Sequence, residues 1–386
     1  MKNFHICLHM EVNSQWMGGA IYIQNLARAI ASLPTVERAN IKLSVACSPD
    51  NLKLVLPIRS CVDQIYVYGR LYLKIFDKLS NSLFFLPFQL LNPLKINFLY
   101  PMQTSVLSRK CPYRWGAWIP DFQHHYFPEF FSQQDINIRN AIHKNMADTA
   151  PVIILSSKMA ESDFHRLYPH AISRTKVMNF VSYLEPDYFY LNPQLTQVKY
   201  NLPDKFFIIS NQFWKHKNHA LVIEALGILK QNNIYPTIVL TGSFNKNSEN
   251  FSQLVSRIEK LGLDQQVIIL GLISRTEQIQ LMRRCLAVIQ PSLFEGWSTV
   301  IEDARALGKP MLVSDFPVHL EQNPPQAWFF ERQNPEQLAS MIAEALSNLT
   351  PGPDILAENI ARQKSYEASL AYGRQFIEIV MNEVSK

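Results

Sequence analysis

At 386 residues the chain is long enough for two domains that each bury a core, and 47% hydrophobic with 18% charged residues excludes a disordered or fibrous protein. A net charge of +5 with no block of like charges permits an anionic ligand or membrane surface but leaves no footprint for nucleic acid. The five cysteines are odd in number and scattered, with no CxxC pair and no zinc spacing, which points to free thiols in a reducing compartment.

Phe4–His9 reads as a buried first strand and lacks the basic region, apolar core and cleavage site of a signal peptide, so a cytoplasmic location is expected. A loop then reaches Gly18 and Gly19, and AIYIQNLARAI continues as a helix. Strand, glycine loop and helix can together hold a phosphate. Further strands are expected near 41–47 and 62–68. Between Leu71 and Tyr100 large apolar residues accumulate, among them Phe84, Phe85, Phe88 and Phe98, but Pro87, Pro93 and Lys95 interrupt the run before it could span a bilayer. It reads either as a core helix pair or as a surface for an anionic membrane or lipid-linked acceptor, with Lys74, Lys78 and Lys95 at its margins.

Asp121, His124 and His125 follow a short apolar run, where a loop beside a ligand crevice is expected. Pro151–Ser157 and Arg174–Val181 read as strands. The stretch Glu185–Pro203 is polar, marked by proline and without periodicity, which suggests a linker. The expected boundaries are therefore 1–185 for a first domain, 186–203 for the linker, 204–365 for a second domain and 366–386 for a closing helix.

The second domain opens with the strand Phe206–Ser210 and a basic loop, Lys215, His216 and Lys217, beside a helix expected to be capped at Asn218. TIVLTG and Val267–Gly271 are further strands, the latter followed by a capping box at Ser274 and Glu277. The densest signal is PSLFEGWSTVIEDARALGKPMLVSD, from Pro291 to Asp315: a strand ending at Gln290, a loop carrying Glu295, a helix and another strand. Thr299 and Glu302 have capping-box spacing, and Gly308 with Pro310 ends the helix. Amides at Trp297, Ser298 and Thr299 could hold an anion at the helix start, whereas Glu295 suits sugar hydroxyls. There is no Asp-x-Asp and no His/Cys cluster, so no metal site is expected.

The run EGWSTVIEDARALGKP resembles the acid-glycine-aromatic signature of the retaining glycosyltransferases of family four. That resemblance implies an α/β protein of the GT-B fold, two doubly wound Rossmann-like domains facing across a cleft, with a last helix crossing back to the first. It also implies that amides at Gly18 and Gly19 approach the donor diphosphate or sugar. GGAIYIQNLARAI matches the family pattern there. The family places a second acid eight positions after the first, which is Asp303 here, with Glu302 one place earlier. Asp303 is the acid expected on the ribose hydroxyls. Family members hold the diphosphate with an Arg and, five residues later, a Lys. Lys217 falls on the Lys and Gln212 on the Arg, leaving Lys215 or His216 to supply the second cation. Gly271, Leu272 and Ile273 fall on the loop that packs on the base.

Asp-x-Gln-His followed by PEFFS resembles one branch of the family and puts the cleft histidine at His124, or at His125, with Asp121 as an orienting acid. Pro120 stands where the family usually has a His. The implied activity is metal-independent transfer of a hexose-type sugar, with retention, from a nucleotide-diphosphate sugar to a glycan or lipid-linked acceptor. His124, Glu295 and Lys217 are the expected catalytic residues, and no cofactor is needed beyond the donor. A nucleotide-sugar epimerase and an inert scaffold of the same fold are the rival readings.

Overall fold

The computed structural model describes residues 4–12, 17–67, 95–103 and 113–385. The chain divides into two compact units, residues 1–181 with 367–386 and residues 182–366.

The first unit is built on a seven-stranded sheet: β1 (Phe4–Met10), β2 (Ile41–Cys47), β3 (Gln64–Val67), β4 (Phe98–Met102), β5 (Arg114–Ile119), β6 (Val152–Leu155) and β7 (Arg174–Val177). Their order is β3-β2-β1-β4-β5-β6-β7, and every pair is parallel. Parallel sheets need cover on both faces, which is why β1, β4 and β6 are apolar almost throughout and buried. The second unit repeats the plan with β8 (Phe207–Ser210), β9 (Ile238–Thr241), β10 (Val267–Gly271), β11 (Val288–Gln290), β12 (Met311–Ser314) and β13 (Ala327–Phe330), in the order β10-β9-β8-β11-β12-β13. In each unit the order reverses beside the first strand, between β1 and β4 and between β8 and β11. Doubly wound sheets bind ligands outside the strand carboxyl ends at that point.

Three expectations change. Phe98, Leu99 and Tyr100 belong to β4 and are wholly buried, so the end of the aromatic stretch is core strand; residues 71–94 lie outside the described residues. The stretch expected as a linker is folded onto the second unit as a turn, Pro186–Phe189, and a helix, Pro193–Lys199. The buried Arg283 holds it by donating to the carbonyls of Tyr188 (2.7 Å), Leu191 (2.9 Å) and Phe189 (3.3 Å) while pairing with Glu358. Third, Gly18 and Gly19 lie in the first turn of the helix Met17–Ala31 and not in a loop before it.

The last helix, Ile355–Val384, belongs to the second unit up to Tyr366 and to the first from Glu367. In the first unit Phe376 packs on Tyr100 at 5.0 Å, and a side chain at Gly373 would meet the Ala29 carbonyl at 2.8 Å, so the helices touch backbone to backbone there.

Candidate functional site

In the second unit the loops after β8 and β11 converge at the switch point. After β8, Lys215–Lys217 form a 3-10 turn, and Asn218 takes a left-handed conformation (φ 56°). Asn218 makes no side-chain cap; its amide instead donates to the carbonyls of Pro291 (3.2 Å) and Arg332 (3.0 Å). The Leu293 amide donates to the His216 carbonyl at 2.8 Å. Pinned together in this way, the loops place Lys217 Nζ 2.6 Å from Glu295 Oε1. Both side chains are largely covered, at 13% and 10% exposure, a setting in which an ion pair is screened less than at the surface. Gln290, the last residue of β11, donates to the same oxygen at 2.8 Å.

The loop Pro291–Ser298 is fixed from its other side by the segment after β12. Ser314 Oγ donates to the Ser292 carbonyl at 2.6 Å, and His319 Nδ1 contacts both the oxygen of that hydroxyl (3.0 Å) and the Ser314 carbonyl (3.1 Å). Burial lowers the His319 pKa to about 4, so its ring is neutral. Gln322 grips Ser298 at both ends of its backbone. The Ser298 amide donates to Gln322 Oε1, and Gln322 Nε2 donates to the Ser298 carbonyl, each at 3.1 Å.

That grip corrects the helix start. The cap of Thr299–Ala306 is Ser298, whose hydroxyl accepts from the Ile301 amide, and there is no box between Thr299 and Glu302. The Ser298 amide is engaged by Gln322, while Thr299 and Val300 lie in the first turn, where helix amides have no intrahelical acceptor. The Glu302 carboxylate accepts from Gln322 (2.9 Å) and lies 3.3 Å from Arg305; burial raises its pKa. Asp303 is 2% exposed and held by both terminal nitrogens of Arg275 (2.5 Å each) and by the Ser182 hydroxyl. Asp303 is thus covered by its own partners in this structure.

Of the two groups expected to supply a second cation, His216 is buried and its pKa is pushed well below the ordinary value by desolvation, so it carries no charge near neutrality. Lys215 is exposed. At the end of β10, Gly271 has φ 71°, and a side chain there would meet Phe244 at 3.0 Å; Leu272 beyond it is 76% exposed. The Ser274–Glu277 capping box forms with both its bonds.

In the first unit Asp121 accepts from the Gln123 amide at 2.9 Å and so fixes the short helix Gln123–Tyr126. His124 is turned inward at 2% exposure, its Nε2 3.0 Å from Asn140 Oδ1 and its ring 5.4 Å from that of His143. Burial lowers the His124 pKa to about 4. His125 is the exposed one of the two. The structure therefore puts the expected cleft histidine in the interior, where no substrate reaches it without the loop moving. Among the described residues no group of three or more His, Cys, Asp and Glu is placed to hold a metal ion.

The sequence reading missed Gln290, Gln322 and Arg275. The signal for Gln290 was a polar residue closing an apolar strand; for the others there was none, since their partners are distant in sequence.

Residues 194–363 match the family model of the glycosyl transferases group 1. No curated protein matches the chain. Among solved structures, the chain is similar to HepE of Anabaena in complex with UDP, at 16% identity over 98% of this chain and 100% of that one, with a TM-score of 0.66. A glycosyltransferase from Rickettsia africae matches at 13% identity over 100% and 99%, with a TM-score of 0.67. Sucrose-phosphate synthase of Thermosynechococcus elongatus matches at 14% identity over 98% of each chain, with a TM-score of 0.64. The fold is thus that of the GT-B glycosyltransferases, two parallel-sheet α/β domains of Rossmann type. Within it, the segment 194–363 that matches the group 1 glycosyltransferase model carries the Lys217–Glu295 pair.

Proposed function

We propose that the protein transfers a hexose-type sugar, with retention and without a metal, from a nucleotide-diphosphate sugar to a glycan or lipid-linked acceptor. The observation that carries this reading is the Lys217–Glu295 pair at the switch point of the second sheet, inside the segment that matches the group 1 model. The complexes of HepE with UDP and with UDP-glucose support a nucleotide sugar as donor.

Departure of the nucleoside diphosphate develops negative charge on its phosphates. Lys217 and the first-turn amides of Thr299 and Val300 are the groups that meet it, help that typically contributes about 3 kcal/mol per well-placed donor. Glu295 accepts from the sugar hydroxyls, and Asp303 from the ribose once Arg275 has moved. Gly271, Leu272 and Ile273 border the base. In the first unit the amides of Gly18 and Gly19 remain at a helix N-terminus, and the exposed His125 is the ring left to meet a substrate, with the buried His124 shaping its loop.

Thermal shift with UDP, GDP and ADP tests the donor class. A nucleotide at about 100 times its Kd that binds only the folded chain stabilises it by roughly 2.7 kcal/mol. No shift with any of them returns the reading to an inert scaffold. Interconversion of a labelled nucleotide sugar without acceptor returns it to an epimerase.

A lipid-linked acceptor fits a role in polysaccharide biosynthesis on the cytoplasmic face of a membrane, reached by peripheral contact through residues 71–94. No described helix is long and apolar enough to cross a membrane. Flotation with anionic vesicles at low salt tests the contact. Unchanged binding after Phe84, Phe85 and Phe88 are replaced by Ser in a folded variant removes it.

A further inference from the structure

Gln290 has a geometry that packing alone does not require. It ends an apolar strand, is wholly buried, and lies between the loops that follow β8 and β11. Its amide is oriented by Asn211, itself 5% exposed at the end of β8, whose Nδ2 donates to Gln290 Oε1 at 2.8 Å. With the oxygen committed to Asn211, the nitrogen faces the next loop, where it donates to Glu295 Oε1 (2.8 Å) and Ser292 Oγ (3.1 Å). The flipped amide would set N–H against N–H at Asn211 and a carbonyl against a carboxylate at Glu295, so the network selects one orientation. Glu295 Oε1 thereby receives two donors, Gln290 and Lys217, and among the described residues none falls on Oε2.

We propose that Gln290, oriented by Asn211, is a positioning residue that sets the Glu295 carboxylate with one oxygen occupied and the other turned to the hydroxyls of the transferred sugar. Lys217 alone is a point charge on a flexible stem and does not fix direction; a short amide anchored at a strand end does. The proposal rests on the nucleotide-sugar reading above and names the part of the donor, the sugar, that this contact serves.

The test compares UDP with UDP-glucose, or whichever nucleoside diphosphate the wild type binds with its glucose ester, on the full chain by calorimetry. For Gln290→Leu and Gln290→Glu the nucleotide sugar is expected to bind about tenfold to a hundredfold more weakly, while the nucleoside diphosphate stays within about twofold. Gln290→Glu sets two carboxylates together, which raises the pKa of one of them. Its loss should therefore be partly recovered at pH 5, and that of Gln290→Leu should not.

Should the Gln290 variants fail to fold, Asn211→Asp gives the same test. It removes the N–H that orients the amide and should weaken the nucleotide sugar selectively. Equal weakening of both ligands, or unchanged affinity for the nucleotide sugar, overturns the proposal. A wild type that binds neither ligand overturns the donor reading instead.

Discussion

In the loop Pro291–Ser298 of the second unit, the charged groups are held apart from bulk water yet left paired and partly reachable, Glu295 with Lys217 at 2.6 Å. In the loop Asp121–Tyr126 of the first, which also leaves the carboxyl end of a sheet, the titratable ring of His124 is turned inward and neutral, and Asp121 is used on a backbone amide. Two loops at strand carboxyl ends, one beside the first strand of its sheet and one a strand further out, thus use their polar groups differently. The second loop keeps opposite charges and spare hydrogen-bonding capacity for a ligand, while the first uses its polar groups mainly to hold its own shape. A chemically loaded stretch in a sequence marks a loop that needs explaining, and only its partners tell whether that chemistry faces a substrate.

The comparison yields measurements of decreasing size. Lys217→Met should lower kcat for sugar transfer by about 10²–10³, because the proposal sets this cation against the leaving group, and should also lower stability by leaving the covered Glu295 without its partner; a fall in kcat below tenfold would move the catalytic charge elsewhere. Asp303→Asn should cost about 3 kcal/mol in urea unfolding by leaving Arg275 without its carboxylate. Glu302→Gln should cost less than about 1 kcal/mol, since Gln still accepts from Gln322. If the two variants unfold alike, Asp303 is not the anchor of Arg275.

The third measurement concerns His124, whose folded pKa lies near 4 against the ordinary 6.5. Below pH 6.5 the unfolded chain takes up a proton that the folded chain refuses, so stability is complete above 6.5 and falls as the pH drops toward 4. In His124→Gln that decline should be shallower by up to about 1.4 kcal/mol per pH unit in denaturant titrations between pH 4 and 6.5. An unchanged slope would mean the ring is protonated in place. The smallest effect separates the cap from its neighbour. Ser298→Ala should cost about 1 kcal/mol and Thr299→Ala should be near neutral in melting experiments, the reverse restoring the Thr299 cap.

Much of the fold was legible because buried parallel strands are apolar runs: VIILG over Val267–Gly271 coincides with β10, and the run Phe206–Ser210 with β8 but for its first residue. β4 and β5 were not seen as strands. FLYPM contains proline and sits at the end of an aromatic-rich stretch, and RWGAWI is interrupted by a glycine whose added side chain would meet Phe98 and Tyr100 at 3.1 Å. The meeting of Glu295 and Lys217 could be expected from loop positions at one sheet edge. The cap was misplaced by one residue because Ser298 and Thr299 are both good caps, and the choice was made by Gln322, 24 positions from Ser298. The direction of the His124 ring depends on Asn140 and His143 on the following helix, a contact with no local signal.

Arg283 has a bearing on where this chain can be cut and recombined. A fragment starting at residue 204, the boundary suggested by composition, would take the carbonyls of Tyr188, Phe189 and Leu191 from a guanidinium inside the second unit, and Gln197 from Arg284 beside it. Chimeras that exchange the second unit should therefore be joined before Ser182, so that the donor protein brings its own 182–203 segment. A junction placed later asks a foreign backbone to satisfy a buried arginine that it has never met.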